Sequence, residues 1–180
     1  MNKKGQFFLI MAFIVLGLIA GLATVTNSVD KKIDARFNYV KGELNLESEK
    51  AIDYGVSQNF DSVQMKTLLR DFTEDYSSYS NADDFYYIFG TTGEITFAGC
   101  KKKSDGQATI EDNSGIALST LTINQGVCNP LTSTTLSSPP ANIKLKVNDV
   151  KYPFTLRTGQ NFYFVVSKSV EGDVYVATNS

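Results

Sequence analysis

The chain has 180 residues, with 17 Lys and Arg against 19 Asp and Glu, a net charge of -2 and no histidine. That balance gives nucleic acid no bulk electrostatic footing as a partner, and the missing imidazole removes Ser-His and Cys-His nucleophile pairs and His-rich zinc or haem sites. No phosphate-cradling, dinucleotide-binding or nucleophile-elbow glycine motif occurs either, so the sequence reads as a non-enzyme without a cofactor.

From Gly5 to Val29 no side chain is charged, and within Phe7–Val25 only Thr24 is polar. A helix over that run, rising ~1.5 Å per residue, reaches across the roughly 30 Å hydrocarbon core of a bilayer. Lys3 and Lys4 in front favour a cytoplasmic N-terminus, while Lys31, Lys32 and Arg36 behind pull the other way. Gly17 and Gly21 form a G-x-x-x-G that lets two such helices approach closely, although glycine is common in membrane helices in any case. Three readings are open for the segment. A cleaved secretory signal has small residues at Gly21-Leu22-Ala23 but an apolar run longer than usual; an uncleaved anchor is the second; the third comes from the surrounding residues.

After Val25 the apolar residues thin to one face, Val29, Ile33, Phe37, Val40, Leu44 and Ala51, with charged residues opposite, which predicts one continuous helix from Phe7 into the fifties. Gly55, Asn59 and Phe60 mark its end. Asp61 and Gln64 have the spacing of a capping box, so a second helix starts there, with Met65, Leu68, Leu69, Phe72, Tyr76 and Tyr79 as its core stripe.

Beyond Asn81 the period becomes two. Phe85–Phe89 and Glu94–Ala98 flank Gly90-Thr91-Thr92-Gly93; Ile143–Val147 and Val150–Leu156 flank Asn148-Asp149, a pair suited to a type I′ turn; Phe162–Val166 and Val174–Thr178 flank Glu171-Gly172-Asp173. Three hairpins predict a mostly antiparallel sheet, with the Pro153 strand at an edge or bulged. Thr132–Pro140, without apolar periodicity, reads as a surface connection. The carboxylates at Asp83-Asp84 and Glu111-Asp112, and Lys101–Lys103, read as solvated loop residues. Cys100 and Cys128 lie beside turn residues in the C-terminal part, and a disulfide between them fits an exported domain, the alternative being two unrelated buried thiols.

The residues Lys3-Lys4-Gly5-Gln6-Phe7, the apolar run behind them, its amphipathic continuation and the β-rich remainder together resemble type IV pilin-like proteins, and among these the archaeal ones with a class III signal peptide. The resemblance implies cleavage by a prepilin-type leader peptidase between Gly5 and Gln6, and association with copies of itself or other pilin-like subunits through the N-terminal helix. Bacterial pilins carry a glutamate where Ile10 stands here; cyclisation of Gln6 to pyroglutamate would remove the N-terminal charge that such a glutamate offsets.

The expected architecture is α+β, in three parts. A short basic leader covers 1–5, a transmembrane and amphipathic helix covers 6–58, and a helix with an antiparallel β-sheet head covers 59–180. The expected function is a structural subunit of a pilus-like surface filament or its assembly machinery, membrane-anchored with its C-terminal domain outside the cytoplasm. The alternative is a monomeric membrane-anchored binding domain, with Phe85, Tyr86, Tyr87 and Phe89 as an aromatic contact patch.

Overall fold

The computed structural model describes residues 39–80, 82–170 and 173–179. Helix α1, described over 39–57, carries Lys41, Glu43, Glu47, Glu49, Lys50 and Asp53, so only a narrow stripe of Leu44, Ser48 and Gly55 is buried. It ends in a Schellman motif. Asn59 takes the left-handed conformation (φ 55°), the Phe60 amide donates to Gly55 O at 2.9 Å and the Asn59 amide to Val56 O at 3.0 Å. The Phe60 ring then packs edge-on to Tyr54, the apolar contact this motif favours.

Two residues later the capping box forms: Asp61 Oδ1 accepts from the Val63 and Gln64 amides, and Gln64 Oε1 accepts from the Asp61 amide. Helix α2, Ser62–Tyr79, follows, burying Met65, Leu69, Thr73, Tyr76 and Ser77. Gly55 allows α1 and α2 to meet; a Cβ there would stand 2.6 Å from Met65 Cε.

The remaining chain folds as β1 (Asp84–Gly90), β2 (Glu94–Lys101), β3 (Gly106–Asp112), β4 (Ala117–Ile123), β5 (Thr132–Ser137), β6 (Asn142–Val147), β7 (Val150–Thr155), β8 (Asn161–Val170) and β9 (Asp173–Thr178). A five-stranded sheet has the order β5-β2-β1-β8-β9 and a four-stranded sheet the order β4-β3-β6-β7, with antiparallel pairing throughout. One face of the larger sheet, including Tyr86, Ile88, Ile95, Phe97 and Val165, packs on Ala108, Ile110, Leu121, Ile123, Ile143 and Leu145 of the smaller. Its other face carries Phe85, Tyr87, Phe89 and Phe162 toward α2, where Phe72 meets Phe162 edge-on and Ser77 meets the Tyr87 hydroxyl. The central strand β1 is therefore covered on both faces, which accounts for its unbroken run of large apolar and aromatic residues from Phe85 to Phe89.

This corrects the expected architecture. Among the described residues there is no long apolar helix, and none long and apolar enough to cross a membrane. In place of the α+β plan of one long helix, a second short helix and one sheet stand two short helices and a mostly antiparallel two-sheet β-rich domain. On the helical side the charged residues of α1 leave only a narrow buried stripe, so the described helix is not apolar, and its Schellman stop falls where the sequence marked the end. On the sheet side, an unexpected β3–β4 hairpin supplies half of a second sheet. The part of the expected helix before residue 39 lies outside the described residues.

Other expectations hold. Asn148 and Asp149 both have positive φ (48° and 66°) between β6 and β7, and Pro153 sits on the edge strand β7. The Glu171-Gly172 turn lies outside the described residues. Thr132–Ser137, expected to be a connection, is instead edge strand β5, paired with β2 from Glu94↔Ser137 to Gly99↔Thr132.

Candidate functional site

Register places Lys101 of β2, Asp84 of β1, Ser167 of β8 and Val176 of β9 in one row across the larger sheet, all on the face toward the smaller sheet. Ser167 Oγ donates to Asp84 Oδ2 at 3.1 Å, and the buried Lys101 ammonium stands 3.9 Å from the same oxygen. Next to this row, Asp83 Oδ2 accepts from Lys103 Nζ and from the Ser169 amide, each at 2.9 Å. Lys102 donates to Ser80 O at 2.7 Å and lies over the Phe85 ring. These five residues form a clamp of charge contacts at one end of β1: Lys101 and Asp83, expected as solvated, are buried, Lys102 and Asp84 are half-buried, and Lys103 stays exposed as expected.

The two aspartates titrate in opposite senses. Burial raises the Asp84 carboxyl above the usual range, and Lys101 and Ser167 only partly offset it. Burial also opposes ionisation of Asp83, but the Lys103 and Ser169 hydrogen bonds with the Lys103 charge outweigh it and leave that carboxyl below the usual range.

The clamp forms the polar end of a cleft of about 490 Å³ between the smaller sheet and strands β8 and β9. Its apolar walls are Val147, Val150, Tyr152, Val165, Val174 and Val176. β9 is an edge strand of the larger sheet, and Val150, Val174 and Val176 remain exposed at the rim. Tyr86 completes the wall. It is 1 % exposed, and its hydroxyl has no hydrogen-bond partner among the described residues. Burial raises its pKa, with Asp84 and Tyr152 adding to the effect, so the phenol lies within electrostatic reach of both of those wall residues and stays neutral.

No protein-family model, curated protein or solved structure matches this chain.

Of the residues singled out in the sequence, Cys100 and Cys128 are joined as a disulfide. Gly5, Gln6, Gly17 and Gly21 lie outside the described residues. Phe85, Tyr86, Tyr87 and Phe89, offered as an aromatic contact patch, are all at most 1 % exposed and present no surface. Glu111, read as a turn carboxylate, is buried and paired with Lys151 at 2.6 Å. Among the described residues no three His, Cys, Asp or Glu side chains are grouped to hold a metal ion. The cleft was missed because its residues come from β1, β6, β7, β8 and β9. Strand alternation puts Tyr86 and Tyr87 on opposite faces without saying which hydroxyl finds a partner.

Proposed function

We propose that the chain is a pilin-like structural subunit of an archaeal type IV pilus-like surface filament or of its assembly machinery. The observation that carries this reading is the Lys3-Lys4-Gly5-Gln6 junction in front of the uncharged run Phe7–Val25. On this reading a prepilin-type leader peptidase cuts after Gly5, the membrane-embedded apolar segment associates with its counterparts in neighbouring subunits, and the β-rich domain faces outward. Two further features support it. The Cys100–Cys128 disulfide suits an oxidising compartment, and Leu46, Tyr54 and Val63 leave apolar surface exposed on α1 and α2, where subunits can pack.

The test is the N-terminus of the protein from native membranes, where mass spectrometry should find Gln6 or its pyroglutamate form first. A mature chain that keeps Lys3–Gly5 overturns the reading. Assembly gives a second test. Val15→Lys places a charge in the apolar run, at roughly 2.5 to 3.5 kcal/mol per subunit, so sedimentation should show large assemblies for wild type and none for the variant.

The second reading, a monomeric membrane-anchored binding domain outside the cytoplasm, is favoured by the cleft between the sheets. A wild-type protein that stays monomeric alone and beside its native neighbours decides for it.

A further inference from the structure

Going beyond the assembly role and independent of it, we infer that the cleft bounded by the β6–β7 turn and strands β8 and β9 binds a small, largely apolar molecule through one neutral hydroxyl group. The volume of about 490 Å³ lies within the range of small-molecule sites, and the lining joins apolar walls to the polar residues of the clamp, with Asn148 on the β6–β7 turn.

Three observations define the head group. First, Tyr86 brings a buried hydroxyl that no described residue satisfies, and such groups in native proteins call for an explanation. Second, one Asp84 oxygen is engaged by Ser167 and faces Lys101, while Oδ1 accepts from no described residue. Both residues line the cleft, so the site offers an acceptor and a hydroxyl able both to donate and to accept, and a hydroxyl head group can use both. Third, the charges are already matched, Asp84 with Lys101 and Asp83 with Lys103, so a charged head group would find no counter-ion of its own. Val150, Val174 and Val176, exposed at the rim, would gain cover from the apolar body of the ligand.

The probes are a matched pair, 1-naphthol and naphthalene, titrated into the full chain in nanodiscs. Chemical shifts of the Val165 and Val176 methyl groups report occupancy at the site itself rather than partition into lipid. Wild type should bind 1-naphthol about tenfold more tightly than naphthalene, the margin of one well-formed buried hydrogen bond. Tyr86→Phe should cut that preference about threefold while keeping naphthalene affinity, the Asp84 acceptor holding the remainder. Tyr87→Phe, on the opposite face of the sheet, should leave both affinities unchanged, and Val176→Glu should weaken both probes. Absence of saturable shifts up to the solubility limit overturns the proposal, as does a naphthol preference that Tyr86→Phe leaves undiminished. Failure of the filament reading would leave these outcomes untouched.

Discussion

Tyr86 and Tyr87 are neighbours on β1 with opposite fates. The Ser77 hydroxyl gives its proton to Thr73 O at 2.7 Å, so at 3.2 Å it accepts from the Tyr87 hydroxyl, which is satisfied. The Tyr86 hydroxyl is not. Tyr87→Phe should therefore cost about 1 kcal/mol, whereas Tyr86→Phe should stabilise the empty protein by about 1 kcal/mol, because it removes a desolvated group that gains nothing. Urea midpoints at unchanged slope check both.

The two aspartates of the clamp make a second residue-level prediction, on pH. Native Asp84 holds its proton more tightly than the unfolded chain does, so its contribution is most favourable below the ordinary carboxylate value near pH 4 and declines as pH rises through the raised native value. Asp83 is the reverse: its contribution is present above about pH 4 and is lost as pH falls through the lowered native value. Wild type should accordingly lose ground to Asp84→Asn as pH rises from about 4, and lose ground to Asp83→Asn as pH falls below about 4. Denaturation curves across that range measure both differences.

At the scale of elements, the β1–β2 hairpin depends on one glycine. Gly90 has φ 133°, and a Cβ there would stand 2.4 Å from the Glu94 carbonyl oxygen, a backbone atom that cannot turn aside. Gly90→Ala should cost about 2 kcal/mol or more, measured as a lowered urea midpoint. Elements with strong local chemistry were legible in the sequence: the Asp61–Gln64 capping box, the Asn148-Asp149 turn and the edge position of Pro153 all stand as read. The elements that escaped had weak local signals. β5 has a single large apolar residue, Leu136, and its Thr and Ser side chains alternate between half-buried and exposed. Where β3 passes from Ile110 to Glu111 its partner in β4 jumps from Ser119 to Ala117, so Leu118 is an extra residue that breaks the alternation of β4. The division into two sheets was not legible because it depends on which strands pair across long sequence distances, which hairpin signals do not encode. For the same reason the cleft, lined from β1, β6, β7, β8 and β9, left no mark in any one segment.

For the domain as a whole, the disulfide acts on more than a loop. Cys100 in β2 and Cys128 before β5 are 28 positions apart, and the β3–β4 hairpin of the smaller sheet lies between them. The bond thus ties both ends of that hairpin segment to the larger sheet. Replacing both cysteines by serine should lower stability by about 3 to 4 kcal/mol on chain-entropy grounds, read from urea unfolding under oxidising conditions.

The strand order β5-β2-β1-β8-β9 also sets a timetable. β2 is available to β1 as soon as it leaves the ribosome or a translocation pore, but on the other side β1 waits for β8; Asp84 and its partner Ser167 are 83 positions apart. Until then Phe85, Tyr87 and Phe89 line a strand with one bare edge, a template for pairing with the wrong chain. Closure over so long a sequence interval is slow beside hairpin formation. Whatever keeps the chain unfolded during synthesis must shield that edge until β8 has emerged, and a chain ending at Gln160 should be recovered as aggregate rather than as a smaller folded domain.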